Sequence, residues 1–311
     1  MRTPIGTSRF KHTQRWFIVV LLLVFAFAVP AARGEAEELL IVLSSQSSPY
    51  RKAAQACQSE LKSAGIDSDL IDLKELTAEQ IKEIDTRVIA VGGRAAARLA
   101  HELSSQVGLF YCMTPNPAKI GLTVRANTTG ISTETKLIEQ VRLIESSNIK
   151  IKRIGMLYRS KSKISSAMIE KIRAVLPASW ELVTVDLDST KSESAGIKDL
   201  LKKKIDLVWT VPDPAVFNSS TIKALLIDSL RKEVPVFGFS HSLVRAGAIF
   251  GIGIDPKDQG VHIAQLVTNE AIDLHLQADL QFAVNLIVAE RIKLRLPGPF
   301  IDQAEMVYRS E

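Results

Sequence analysis

The chain has 311 residues, of which 46% are hydrophobic and 23% charged, with a formal charge of +5. That is too apolar for a disordered chain, and two cysteines are too few for a disulfide scaffold. The basic surplus is local: Arg2, Arg9, Lys11, Arg15 and Arg33 lie in a first stretch without acids, and the rest is balanced, which removes the counterion-release affinity that a nucleic-acid partner needs.

Residues 1–34 read as a signal peptide. The basic start runs into the apolar segment Phe17 to Val29, which is shorter than the roughly 18 to 20 residues of a spanning helix, and small residues follow it. Ala32-Arg33-Gly34 offers the small side chains that a signal peptidase requires, with Val29-Pro30-Ala31 as a second site, so a mature start near Glu35 is expected. No cysteine adjoins the apolar run, so the product is expected to be free in the periplasm and not a lipoprotein.

Strands and helices then alternate with short connections, the pattern of parallel sheets with crossover helices. A buried strand at Leu39 to Leu43 is followed by a Ser-rich loop and a helix from Pro49 to Ala64. Strands near Asp69 to Leu73, Arg87 to Val91 and Val107 to Cys112 alternate with helices at Thr77 to Ile84 and Ala95 to Leu103. Pro115 and Pro117 end this half, because proline suits neither a helix interior nor a central strand.

The rhythm restarts with a helix over Thr135 to Ser146. Strands follow at Arg153 to Tyr158, Glu181 to Asp186, Leu207 to Val211 and Val236 to Phe239. Helices are expected at Ser165 to Leu176, Ser192 to Lys203 and Val216 to Lys232. A strand at Ile249 to Ile254, a helix from Pro256 to about Leu276 and a strand near Phe282 to Leu286 complete the pattern. Two doubly wound α/β lobes follow, and in such lobes ligands sit outside the carboxyl ends of the strands.

Nucleophile-elbow, zinc-protease, phosphate-loop and dinucleotide motifs are missing, and the five histidines show no metal-ligand spacing. No catalytic residue, metal or cofactor is therefore expected, although an α/β enzyme stays open as an alternative. Cys57 and Cys112 read as two core thiols, with a bridge left open, and Trp209 inside a strand reads as core.

Several motifs in order give a resemblance. Thr129-Gly130-Ile131-Ser132, the strand Lys152 to Tyr158, Val211 to Phe217, Val234 to Ile249 and Gly253 to Gly260 resemble the ABC-transporter substrate-binding proteins that include tryptophan and tyrosine binders, of type I periplasmic-binding fold. The segment from Phe282 to Leu286 with Leu294 to Pro297 resembles that family's close. The resemblance implies a hinged receptor: lobe 1 at 35–130 plus about 255–280, and lobe 2 at 131–254 plus about 281–311. It implies a monomer that takes a small-molecule ligand, an amino acid or a related metabolite, to an ABC permease in the inner membrane. A sensory protein that presents its ligand to a membrane receptor is the alternative.

Ligand-binding candidates follow from strand ends and helix starts. Ser47, Ser48, Gly93 and Thr114 suit a carboxylate, since hydroxyls and helix N-termini stabilise anions. Asp213, between two prolines, matches the family position for an ammonium, with an Asx turn as the equal alternative. Ser240 and His241 lie in a loop at a strand end, where a histidine is open as a ligand or a solvated side chain; Asp255 follows a strand and is placed to cap the helix from Pro256; and Ser132 follows a Thr129-Gly130 turn at a crossing. Tyr50, Tyr111 and Tyr158 end or follow strands and are open as platforms for a ring, Tyr158 first, or as core packing. Arg94 and Arg159 are open as carboxylate clamps or solvated side chains.

Overall fold

The computed structural model describes residues 39–310; the proposed leader and its cleavage site lie outside the described residues. The first sheet begins with β1 (Leu39–Leu43), which is buried on both faces: Leu39, Ile41 and Leu43 enter one core and Val42 the other. Period-2 alternation makes such a run a central strand. Helix α1 (Ser48–Ser63) starts with Pro49 in its first turn and buries Ala53, Ala54, Cys57 and Leu61 along one stripe. Then come β2 (Ser68–Asp72), α2 (Ala78–Lys82) under a complete capping box from Thr77 and Gln80, β3 (Val88–Val91), α3 (Gly93–Glu102), β4 (Leu109–Thr114) and β5 (Thr128–Ser132).

The second half runs through α4 (Leu137–Ser146), β6 (Arg153–Tyr158), α5 (Lys163–Val175), β7 (Glu181–Asp186), α6 (Glu193–Lys202), β8 (Leu207–Trp209), α7 (Ser219–Arg231), β9 (Val236–Gly238), α8 (His241–Ala246) and β10 (Phe250–Gly253). The chain returns through α9 (Pro256–Thr268) and β11 (His275–Gln277). It closes with β12 (Gln281–Asn285), α10 (Leu286–Arg291), α11 (Gly298–Ile301) and β13 (Met306–Tyr308).

Strand order in the first sheet is β11-β5-β4-β3-β1-β2, and in the second β13-β12-β10-β9-β8-β6-β7. Each contains the doubly wound order 2-1-3-4-5, and in both the switch point lies beside the first strand of its half. Among the described strands only β12 and β10 pair antiparallel. The chain passes between the sheets three times: from β5 to α4, from β10 to α9, and from β11 to β12. Helix α9 belongs with the first sheet, since its Ile263, Ala264 and Val267 share a core with Leu39, Ile41 and Cys57.

The second core is aromatic. Trp209 is fully buried and donates its indole N–H to Gln140 Oε1 at 2.9 Å. Phe237, Phe250, Phe300 and Phe282 then meet edge to face at 5.5, 5.1 and 4.9 Å, the geometry that ring quadrupoles favour.

Several sequence expectations need correction. Thr129-Gly130 is not a turn: β5 is a full strand between β4 and β11, with Gly130 opposite Tyr111 on one side and His275 on the other. A Cβ on Gly130 would lie 2.3 Å from the Tyr111 carbonyl and 2.5 Å from its ring, so glycine lets the ring pass over β5 and bond its hydroxyl to His275 Nδ1 at 2.9 Å. Tyr111 is therefore core and not a strand-end platform, and burial pushes its hydroxyl up to about 12.

Helix α9 stops at Thr268, not Leu276, because Glu270 and Asp273 take left-handed backbone and turn the chain into β11. Helix α7 starts at Ser219, not Val216, because Asn218 Oδ1 accepts the N–H groups of Ser220 and Thr221. The stretch from His241, expected as a loop, is α8, capped by Ser240.

Both cysteines are free and buried. Burial pushes the Cys57 thiol up to about 12 and holds Cys112 well above its ordinary value, so neither forms thiolate at neutral pH. A thiol reagent is expected to leave both unmodified in the native protein and to modify both once denaturant opens the first core; rapid native labelling would contradict this packing.

Candidate functional site

The polar loops cluster at the carboxyl ends of the strands. In the first half, Ser47 is the N-cap residue of α1 but makes no side-chain cap bond, so the exposed hydroxyls of Ser47 and Ser48 stay uncommitted at a helix N-terminus. Gly93 opens α3, and a Cβ there would touch Pro115 at 3.6 Å, so the loops after β3 and β4 lie side by side. Arg94 is anchored: its guanidinium donates to the Ser44 carbonyl at 2.6 Å, while Ser44 Oγ accepts the Ala95 N–H. Thr114 turns inward, with 0% exposure and its hydroxyl on the Cys112 carbonyl. It braces the end of β4 and does not reach the surface.

In the second half Asp213 is 3% exposed, accepts the Ser165 hydroxyl, and closes an Asx turn on the Ala215 N–H at 2.9 Å. Carboxylate lone pairs remain beyond these two bonds. Tyr158 is half-buried at the end of β6 and packs against the second core.

Arg159 is not a free clamp. It donates to the Ala215 carbonyl, to Asp188 at 2.9 Å and to Glu193 at 2.8 Å, and the hydrogen bond to Asp188 is foremost in raising its pKa. This network joins the loops after β6, β7 and β8. Partial burial pushes the Asp186 carboxyl up, but hydrogen bonds from Ser160, the Asp188 N–H and Ser189 outweigh it and hold the pKa at about 2, below its ordinary 3.8. Asp188, through the Lys161 N–H first and Arg159 next, and Glu193, through Thr221 first, are also lowered.

Folded-state values below the unfolded ones mean that these acids stabilise the fold above their unfolded pKa and lose that contribution as pH falls through the folded values. Thermal stability is expected to drop from about pH 4 toward pH 2, and less steeply in Arg159→Met; identical acid profiles for the two proteins would contradict the network.

The crossings between the sheets are gathered by side chains. Ser132 Oγ accepts the Glu134 N–H at 3.3 Å, and its carbonyl accepts the Ala278 N–H at 2.8 Å, which sets the first and third crossings side by side. Gln281 on β12 donates to Asp258 on α9 at 2.6 Å. Asp255 caps α9 through the Lys257 N–H, and its second oxygen lies 3.8 Å from His241 Nε2. Ser240 Oγ accepts the Leu243 N–H. The structure thus brings His241 and Asp255 together at one crossing and Ser47, Ser48 and Gly93 near one strand-end edge; Asp213 and Tyr158 belong to the other sheet.

Sequence reasoning missed Ser165, the hydroxyl on Asp213, and Lys74 and Arg98, which line a hollow with Arg94 beside β1 and β2. Ser165 lies 48 residues from Asp213 and carries no local signature. Among the described residues no His, Cys, Asp and Glu group fit to hold a metal ion is present, and no helix is long and apolar enough to cross a membrane.

Two doubly wound lobes joined by three crossings, with uncommitted hydroxyls at strand ends, define the type I periplasmic-binding fold. The model of the family described as ABC transporter substrate binding protein matches residues 72–307, and the chain belongs to that family. A search among curated proteins found no significant match.

Solved structures agree on the fold. A conserved domain protein from Vibrio cholerae is 18% identical with a TM-score of 0.68, covering 88% of this chain and 99% of its own. A Streptococcus ABC domain in complex with L-Trp is 17% identical with a TM-score of 0.68, covering 86% and 99%. A Caulobacter myo-inositol binding protein is 12% identical with a TM-score of 0.56, covering 84% and 98%. Family and fold are those of binding proteins, not enzymes.

Proposed function

We propose that the chain is the solute-capturing component of an ABC importer, working in the periplasm as a free monomer after loss of residues 1–34. The observation that supports this reading is the duplicated 2-1-3-4-5 order with three crossings gathered by polar side chains. Lobe 1 comprises 35–130 with 255–280, and lobe 2 comprises 131–254 with 281–311. The lobes swing together over a small solute, and the closed form docks on the permease. No step of the cycle needs a reaction at the bound solute, so no catalytic group is assigned.

Ser47, Ser48 and Gly93 offer donors to the solute from lobe 1. Tyr158, Asp213, Ser240 and His241 serve from lobe 2, while Thr114, Ser132 and Asp255 hold the strand end and crossings that set the closing angle. An amino acid fits this arrangement, with its carboxylate on the hydroxyls and its ammonium on Asp213, and the Streptococcus relative is in complex with one, L-Trp.

The test is titration calorimetry against amino acids, polyols and sugars, with small-angle scattering to follow closure. A saturable solute that compacts the protein is expected. For an ammonium-bearing solute, Asp213→Ala should weaken binding by about 2 to 5 kcal/mol. A folded protein that binds nothing across the panel would sink the reading, and unchanged affinity in Asp213→Ala would remove that residue from the site.

A further inference from the structure

We infer that a hollow at the carboxyl ends of β1 and β2 is a binding site for a compact oxyanion, a phosphate or carboxylate group on the captured solute. This rests on the receptor reading above and specifies the chemistry of its ligand. The hollow has a volume of about 350 Å³, within the range of small-molecule pockets, and is lined by Ser44, Ser45 and Gln46 after β1, by Asp72 at the end of β2 with Leu73 and Lys74 after it, and by Arg94 and Arg98 of α3. It is continuous in the chain with Ser47 and Ser48, the free hydroxyls at the start of α1.

Charge and hydrogen bonding in the hollow are unequal in a way that leaves donors over. Arg98 is spent: it pairs with Glu102 at 3.1 Å and holds the β2 loop through the carbonyls of Leu73 and Leu76. Asp72, the one carboxylate of the lining, is 4% exposed and accepts the Lys74 N–H, so it faces its own turn. Arg94 is aimed by its bond to the Ser44 carbonyl, and neither it nor Lys74 has a carboxylate partner among the described residues. The remaining N–H groups of Arg94, the Lys74 ammonium, and the side chains of Ser45 and Gln46 thus present unused donors around one space.

A guanidinium held in place loses little freedom on meeting an oxyanion and offers two parallel donors to it, and the first turn of α3 adds a positive potential. The chain's other basic hollow differs. Arg153 there is consumed by Glu181 and the Lys203 carbonyl, and Lys202 pairs with Asp199 at 3.5 Å, so no arginine with donors to spare stands in it.

The experiment is calorimetric titration of the full mature protein at low ionic strength with inorganic phosphate and, separately, with malonate, while amide NMR locates the response. At least one anion is expected to saturate a single site and shift the amides of Ser45, Gln46 and Arg94. Phosphate alone would assign phosphorylated solutes, malonate alone carboxylate solutes. Arg94→Gln and Lys74→Gln should each weaken binding at least about tenfold, and Lys203→Gln should leave it unchanged. Lys74 makes no side-chain hydrogen bond among the described residues, so its variant reports on the site even if Arg94→Gln disturbs the turn.

Binding of neither anion, equal binding in all four proteins, or a response centred on residues 202–204 would overturn the inference. So would a neutral sugar or polyol that closes the lobes without disturbing these amides and without competition from phosphate. That last result would leave the receptor reading intact.

Discussion

Phe250→Ala is expected to lower the unfolding free energy by about 3 to 5 kcal/mol, the cost of deleting a large ring from a core that cannot collapse around the gap. Phe250 is fully buried on β10, with β9 on one side and β12 on the other, and its ring joins Phe237 to Phe300. Removing it breaks two edge-to-face contacts at once, and Phe300 belongs to the closing segment that also covers Phe282. Both tryptophans of the described chain, Trp180 and Trp209, pack against this core, so their fluorescence follows its unfolding in denaturant. Ile227→Ala, at a side chain 41% exposed on α7, should shift the same transition by less than about 0.5 kcal/mol. Equal midpoints for the two variants would show that the ring chain does not carry the second core.

The second large effect belongs to Gly260→Ala. A Cβ at this position of α9 would lie 2.0 Å from the Ala53 carbonyl oxygen and 3.0 Å from the Ala56 methyl, so α1 and α9 meet backbone to backbone. Neither neighbour is a flexible side-chain end, and both helices must separate to admit a single methyl. Overpacking of this kind costs about 1 to 3 kcal/mol, against which the higher helix propensity of alanine returns less than about 1 kcal/mol. The midpoint should fall in far-UV ellipticity, with a smaller change in the fluorescence of the two tryptophans. A variant as stable as the parent would mean that the helices do not approach so closely.

Some of this architecture is readable residue by residue. The strands at Leu39–Leu43, Arg153–Tyr158 and Glu181–Asp186 stand at their expected positions, because unbroken or alternating apolar runs between polar turns have few other solutions. β5 is not readable in that way. Thr128–Ser132 holds one large apolar residue, and its strand character comes from β4 and β11, the latter arriving about 145 residues later. The short α8 and β11 are hidden for the same reason, since a few residues carry no period.

The site divides likewise. Asp255 precedes Pro256 and caps α9, which sequence position suggests, whereas Ser240 caps α8, a helix that no sequence period announces. The burial of Thr114, the hydroxyl of Ser165 on Asp213 and the capture of Arg159 by Asp188 and Glu193 depend on distant partners, and no local pattern signals them. Arg159 is therefore a brace within one half, while Arg94 keeps free donors.

The return of the chain through α9 and β11 also governs what a protease can achieve. A backbone cut between Thr133 and Lys136 severs one covalent link, yet the edge strand and one covering helix of the amino-terminal fragment's sheet are supplied by the carboxyl-terminal fragment. The two pieces stay interleaved like complementing fragments of a split protein, so nicking there does not set either half free.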